Sequence, residues 1–239
     1  MVSTNKSIKY SLDEKVFELA QGNIVTHDSK SIVIPYKTYF NYDEGFSGVL
    51  DTIFNVSGDQ PFSDAREKAE EIAYEHGYVK YPGMREKGFI YPYNGVIVAG
   101  EYLNHKSLIF IVSNDFTGNR KPEDSDKVYI DNEDGSYIDA KSIKETVKST
   151  LSLAEKHNLR LTEKDYRKLP IERVCDSIAF SAIGTNQYKV PLDVSIRNIV
   201  KTVKENIQEQ KSLKKVSLVL YSENKYLQAM ETVKSIMEK

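Results

Sequence analysis

Two short stretches hold the residues best able to do chemistry. Residues 41–51, NYDEGFSGVLD, place Gly45 and Gly48 directly before a run with helical spacing. Glycines there allow positive φ and let backbone approach a ligand closely. A helix starting behind them offers free N–H groups and the positive end of its dipole, which suits an anion. Residues 182–193, AIGTNQYKVPLD, repeat the arrangement. Gly184 supplies the turn and Pro191 suits the first turn of the following helix. Thr185, Asn186 and Gln187 add side-chain donors to their backbone N–H groups. Two such loops could grip a diphosphate from both sides, and Tyr221, emerging from the run VSLVLYS, could stack on a base. Taken alone, each loop reads first as a plain strand-to-helix joint. Neither contains G-x-G-x-x-G or G-K-[ST].

Other chemistries find little support. His27, His76, His105 and His157 show no pair at metal-ligand spacing, and no C-x-x-C occurs, so no metal site and no cofactor are expected. No G-x-S-x-G elbow surrounds any serine. Cys175 precedes an apolar run without a local signature and reads as a buried structural thiol. The acidic run 123–134 lacks the EF-hand ligand spacing and reads as a solvated loop.

The elements that must position the two loops follow from periodicity. VFELA (16–20) and the β-branched run SIVIPY (31–36) read as strands, the second covered on both faces. Val49, Leu50, Ile53, Phe54 and Val56 recur at helical intervals and stop at Ser57-Gly58. FSDAREKAEEIAYEHG reads as an amphipathic helix capped by Ser63 or Asp64, with the stripe Ala65, Ala69, Ile72, Ala73 and a stop at Gly77. Three strand-like runs follow: GFIYPY, GVIVAGEYL and SLIFIVS. The polar span 114–136 reads as an exposed excursion, with a short strand at 128–130. Residues 139–157 form a second amphipathic helix on Ile143, Val147, Leu151 and Ala154, and TEKDYRKLP a short one ended by Pro170. Strand SIAFSAI, helix 191–210, strand VSLVLYS and a last helix, ENKYLQAMETVKSIMEK, complete the chain.

Alternating strands and helices with apolar central strands predict an α/β/α layered arrangement around a mixed sheet. The 239 residues suffice for one sizeable core. A formal net charge of −2 speaks against general nucleic-acid binding. No apolar run reaches membrane-spanning length, and the N-terminal residues lack the apolar segment of a signal peptide. With one cysteine, the expected location is cytoplasmic and the expected membrane association none.

Residues 176–226, from DSIAFSAIGTNQYKVPLD to LYSENKY, resemble the C-terminal half of macro domains, the ADP-ribose-binding α/β/α family. There a strand of the kind S-I-A-F-P-A-I-G-T-G leads into a Y-x-x-P step, a long helix and a K-x-V-x-x-V-x-(F/Y) strand. ELAQGNIVTHDSKSIVIP, GFSGVLDTIF and GVIVAGEYLNHKSLIFIV resemble the family's earlier segments. The resemblance implies a divergent member: a three-layer α/β/α macro-like fold with a central mixed sheet, one domain over 1–239. The excursion at about 114–136 and an extra segment at about 158–173 fall outside it. It further implies that Gly45, Phe46, Ser47, Gly48 and Val49 form a first phosphate loop. Ser181, Ala182, Ile183, Gly184, Thr185, Asn186, Gln187 and Tyr188 would form the second, gripping diphosphate and distal ribose. Tyr221 would pack on adenine, with Asn224 nearby and Asn23 and Ile24 flanking it.

The departures from the family are informative. Its adenine-reading aspartate is Asn23 here, which can accept through its amide oxygen but brings no charge. The N-A-A-N segment is replaced by IPYK, with Ile34 and Lys37 at the asparagine positions. Asn186 stands where a glycine is usual. Three functions are compatible with these residues. The first is binding of ADP-ribose or a related, cyclic or modified, NAD-derived nucleotide, free or on an ADP-ribosylated protein. The second is an ADP-ribosyl hydrolase or ADP-ribose phosphoester hydrolase, with Lys37, Asp43 or Glu44 handling protons. The third is a degenerate macro-like protein-interaction module. The first is the expectation carried forward.

Overall fold

The computed structural model describes residues 6–36, 48–75, 93–98, 103, 107–113, 117–118, 137–138, 140–163, 175–186 and 190–239. The elements run β1 (Ser7–Leu12), β2 (Lys15–Gln21), β3 (Ser31–Tyr36), α1 (Val49–Ser57) and α2 (Gln60–Glu75). They continue as β4 (Gly95–Val98), β5 (Ser107–Val112), β6 (Thr117–Gly118), β7 (Tyr137–Ile138) and α3 (Ala140–Glu163). The last are β8 (Ser177–Phe180), α4 (Leu192–Asn206) with a 3₁₀ turn Ile207–Glu209, β9 (Lys215–Leu220) and α5 (Glu223–Met237).

Seven strands form a sheet in the order β1-β2-β9-β8-β3-β5-β4. The five inner strands are parallel, and β1 and β4 close the edges antiparallel. Inner strands that lie between helices are apolar on both faces, and β3 and β5 are so beyond their first residue. In β3, Ile32, Ile34 and Tyr36 face the layer of α1 and α2, while Val33 faces α3, α4 and α5. β5 divides in the same way, Leu108, Phe110 and Val112 against Ile109 and Ile111. The stripe Ile143, Val147, Leu151 and Ala154 of α3 is fully buried against the second face. The result is a three-layer α/β/α fold around a mixed sheet.

Several sequence expectations need correction. The N-terminal residues contain β1, whose alternating half-exposed pattern belongs to an edge strand and gives little apolar signal. Helix α2 begins at Gln60, so Ser63 and Asp64 lie inside it and cap nothing. The start is set by Asp59, whose carbonyl accepts from Phe62 and Ser63 N–H (3.0 and 3.1 Å), and Pro61 sits in the first turn, where its missing N–H costs nothing. Val56 is 58% exposed and leaves the α1 stripe. β8 ends at Phe180, and Pro191 stands at the N-cap of α4, just outside its first turn. α3 continues to Glu163, so the segment expected from 158 begins as helix. GFIYPY up to Pro92, Gly77, the strand at 128–130 and 164–170 lie outside the described residues. Of the excursion, Thr117–Gly118 pairs antiparallel with Tyr137–Ile138. No helix among the described residues is long and apolar enough to cross a membrane.

Glu155 on α3 fixes the turn that feeds β9. Its carboxylate accepts from Lys211 N–H (3.0 Å), Ser212 N–H (3.0 Å) and Ser212 Oγ (2.6 Å). Burial alone would raise its pKa, but the Ser212 and Lys211 hydrogen bonds and the Lys15 charge outweigh this and hold it below the ordinary 4.5. A depressed folded-state pKa stabilises above the unfolded value, and the contribution disappears as pH falls through the folded one. Glu155→Ala should therefore lower stability by about 2 kcal/mol at pH 7, the order for charge-assisted hydrogen bonds. In urea unfolding the difference from the unsubstituted protein should shrink at pH 3.

Candidate functional site

Strand order locates the crevice before any side chain is considered. From β3 the chain moves towards β5 by way of α1 and α2, on one face of the sheet. From the adjacent β8 it moves the other way, through α4 on the opposite face, to β9. Neighbouring parallel strands whose connections diverge leave a crevice outside their carboxyl ends. The strand partners Ile32↔Ala179, Phe180↔Leu218 and Gln21↔Leu220 put the ends of β3, β8, β9 and β2 along that same edge.

The loop after β8 is held by its own backbone. Gly184 has φ +77°, the left-handed region that glycine enters without steric cost. Its carbonyl accepts from Val190 N–H (3.1 Å), and Ile183 C=O accepts from the buried Ser195 Oγ of α4 (2.8 Å). Thr185 Oγ1 donates to Ala182 C=O (3.1 Å). That uses the one proton of the hydroxyl, so the side-chain donor expected from sequence is already engaged within the loop. Gln187 and Tyr188 lie outside the described residues.

Across the crevice, Gly48 is the N-cap of α1, with φ +69° and no side-chain cap. The first N–H groups of this helix have no capping side chain. Gly48 and Asn186 are in direct apposition. A Cβ built on Gly48 would lie 2.3 Å from Asn186 Nδ2 and 3.5 Å from Asn186 Cγ. The second loop thus reaches across to the first. Val49 follows as the first helical residue, whereas Gly45, Phe46 and Ser47, like Lys37, Asp43 and Glu44, lie outside the described residues.

The turn after β2 completes the edge. Gly22 N–H donates to Leu220 C=O (3.0 Å), which sets Asn23 and Ile24 beside the end of β9. Asn23 Oδ1 accepts from Val25 N–H (3.0 Å), so one lone pair of the amide oxygen already serves its own turn. Ile24 is buried. Tyr221 leaves β9 with 80% of its surface exposed. Ser222 caps α5 by accepting from Lys225 N–H (3.3 Å). An exposed Lys6–Glu223 ion pair (2.5 Å) flanks the exposed Asn224.

A polar cluster that sequence reading missed lies under the connection from β2 to β3. Glu18, His27 and Asp28 offer three ligand atoms within 4.8 Å of one another. Lys215 Nζ stands 2.6 Å from Asp28 Oδ1 and 3.4 Å from Glu18 Oε2, so a resident ammonium supplies the positive charge. Ser217 Oγ donates to Glu18 Oε2 (3.1 Å). Burial would raise the Asp28 pKa, but the hydrogen bond and charge of Lys215, with His27 and Lys9, hold it below its ordinary value. The arrangement pins the connection that begins with Asn23 and Ile24. Cys175 is fully buried and its thiol is pushed up to about 11 by burial. A protonated, inaccessible thiol is no nucleophile.

No family model matches the chain. The Oceanobacillus iheyensis macrodomain solved with ADP superposes at a TM-score of 0.68, with 18% identity, over 99% of each chain. The Trypanosoma brucei macrodomain in complex with ADP-ribose gives 0.58 and 16% identity, over 92% of this chain and 68% of that one. The chain has the macrodomain fold. Two uncharacterized proteins match parts of its sequence. The Pyrococcus furiosus protein is 38% identical over 79 residues, and the Pyrococcus horikoshii protein 44% identical over 57. These matches cover 33% and 24% of this chain and only 43% and 30% of the respective relatives. Within the macrodomain fold, Gly22–Ile24, Gly48–Val49, Ser181–Asn186 and Tyr221–Asn224 share one end of the parallel strands. The sequence and its family resemblance set these same segments around one cleft, but not the Gly48–Asn186 apposition, which nothing local in either loop encodes.

Proposed function

We propose that the protein binds ADP-ribose or a closely related NAD-derived nucleotide in the crevice at the β3/β8 switch point. The observation that carries this reading is the meeting of two positive-φ glycine loops, at Gly48 and Gly184, across that crevice. In this reading the diphosphate lies between them. It takes hydrogen bonds from the N–H groups at the start of α1 and from the turn Ala182–Asn186, where backbone donors are already oriented and the helix dipole favours negative charge. Adenine stacks on Tyr221 with Asn23 and Ile24 at its edge, and Asn224 stands beside it. That similarly folded proteins were solved with ADP and ADP-ribose supports the choice of nucleotide. The partner is such a nucleotide, free or attached to a protein.

Thermal-shift titration with ADP-ribose, its cyclic isomers and NAD tests the proposal. A saturable rise in melting temperature is expected with at least ADP-ribose, since a ligand at 100 times its Kd adds about 2.7 kcal/mol of stability. No shift with any of the three would refute it. Release of free ADP-ribose from an ADP-ribosylated protein in a parallel incubation would identify a hydrolase instead.

A further inference from the structure

Away from the crevice, the far parts of α4 and α5 enclose a second groove of about 560 Å³. Arg197, Lys201, Lys204 and Glu205 line it from α4, and Ser235, Ile236 and Lys239 from the end of α5. Four cations therefore face one carboxylate, in a chain whose net charge is −2. α4 buries Ile196, Ile199, Val200 and Val203 in the core, and the cationic row runs beside that stripe. Its spacing of i, i+4 and i+7 sets Arg197, Lys201 and Lys204 on one side of the helix, where like charges repel and cost helix stability. Lys204 is pinned at the floor, its Nζ donating to Ile236 C=O (2.8 Å). Arg197, Lys201 and Lys239 are exposed. They form no ion pair and no side-chain hydrogen bond among the described residues, and Glu205, one turn beyond Lys201, pairs with none of them.

We propose that this groove is a second ligand site, for a compact, soluble run of linked phosphates of the tripolyphosphate kind. The inference is independent of the nucleotide reading above. The volume falls within the range of small-molecule sites, about 300–1,000 Å³. Arg197 and Lys201 stand one turn apart, about 6 Å along the helix axis, so a single run of phosphates reaches both. Lys239 meets it from the other wall and Lys204 from the floor. The guanidinium forks onto two phosphate oxygens, and each ammonium attracts as a point charge. Other polyanions fit less well. No aromatic side chain lines the groove, so a nucleic-acid base finds nothing to stack on. Beyond the groove the remaining charge of the chain is negative, which opposes a long polyanion. The exposed large apolar side chains among the described residues are Val56, Leu159, Tyr221 and Leu227, and none of them lines the groove. A membrane surface or an amphipathic peptide would need such an anchor.

The test titrates the intact protein with inorganic tripolyphosphate. In backbone-amide NMR the largest shift changes should fall on residues 197–205 and 235–239. By calorimetry tripolyphosphate should bind at least about tenfold more tightly than orthophosphate, because it engages several cations at once and each charged hydrogen bond is worth about a decade in affinity. Arg197→Gln combined with Lys201→Gln should weaken tripolyphosphate at least about tenfold for the same reason. The urea midpoint of that variant should not fall, since both side chains are exposed and their repulsion is relieved. Equal affinity for the two phosphates, no response to the double substitution, or shift changes confined to Gly48 and Ala182–Asn186 would each overturn the proposal. Tighter binding of a short single-stranded RNA, or of vesicles bearing phosphoinositides, in the same groove would overturn the compact soluble ligand.

Discussion

Gly184→Glu should abolish measurable ADP-ribose binding and leave the far-ultraviolet circular dichroism spectrum unchanged. Two effects add at this position. Gly184 sits at φ +77°, where a residue with a Cβ is strained by about 1–2 kcal/mol. The glutamate carboxylate would also enter a loop proposed to face a diphosphate, and such like-charge juxtaposition costs several kcal/mol. Together they predict a loss of at least about a thousandfold, roughly 4 kcal/mol. Gly184→Ala carries the strain without the charge and should lose only about tenfold, of order 1.4 kcal/mol. Calorimetric titration of both variants separates the two contributions. Unchanged affinity in Gly184→Glu would remove the second loop from the site.

The second large effect is on stability. Phe110, fully buried in β5, is the centre of an aromatic cluster on the α1/α2 side of the sheet. Its ring meets Phe62 of α2 edge-on at 5.6 Å between centroids and Tyr36 of β3 at 6.0 Å. Phe110→Ala should cost about 3–5 kcal/mol through lost burial and the cavity left behind. Chemical denaturation at neutral pH should show this as a lower midpoint with an unchanged slope. Tyr36 is the last residue of β3, from which the first loop departs, so loss of this cluster should weaken ligand binding as well. A cost below about 1 kcal/mol, as for a site that collapses without strain, would contradict the packing described.

The parts of the fold that were legible in sequence are those where burial imposes a period. β3 could be read to the residue because a strand covered on both faces must be apolar throughout, as SIVIPY nearly is. The stripe of α3 was equally plain, since Ile143, Val147, Leu151 and Ala154 all face the core. β1 escaped because an edge strand of alternating exposure carries polar residues at half its positions. The start of α2 was misplaced because Ser63 and Asp64 are good capping residues in the wrong place, and Asp59 acts there through its backbone carbonyl. At the site, sequence located the glycine turn at Gly184 and the exposed Tyr221. It also assigned Thr185 a ligand-facing hydroxyl that in fact donates to Ala182. Short-range competition for a proton, like the long-range meeting of Asn186 with Gly48, is settled only by three-dimensional geometry.

Backbone-amide NMR of the intact protein titrated with ADP-ribose shows directly where the nucleotide sits. The largest shift changes should fall on Gly22–Ile24, Gly48–Leu50, Ala182–Asn186 and Tyr221–Asn224. Changes concentrated elsewhere, for example on the cationic groove of Arg197, Lys201, Lys204 and Lys239 between α4 and α5, or no changes at saturating nucleotide, would contradict the proposed function.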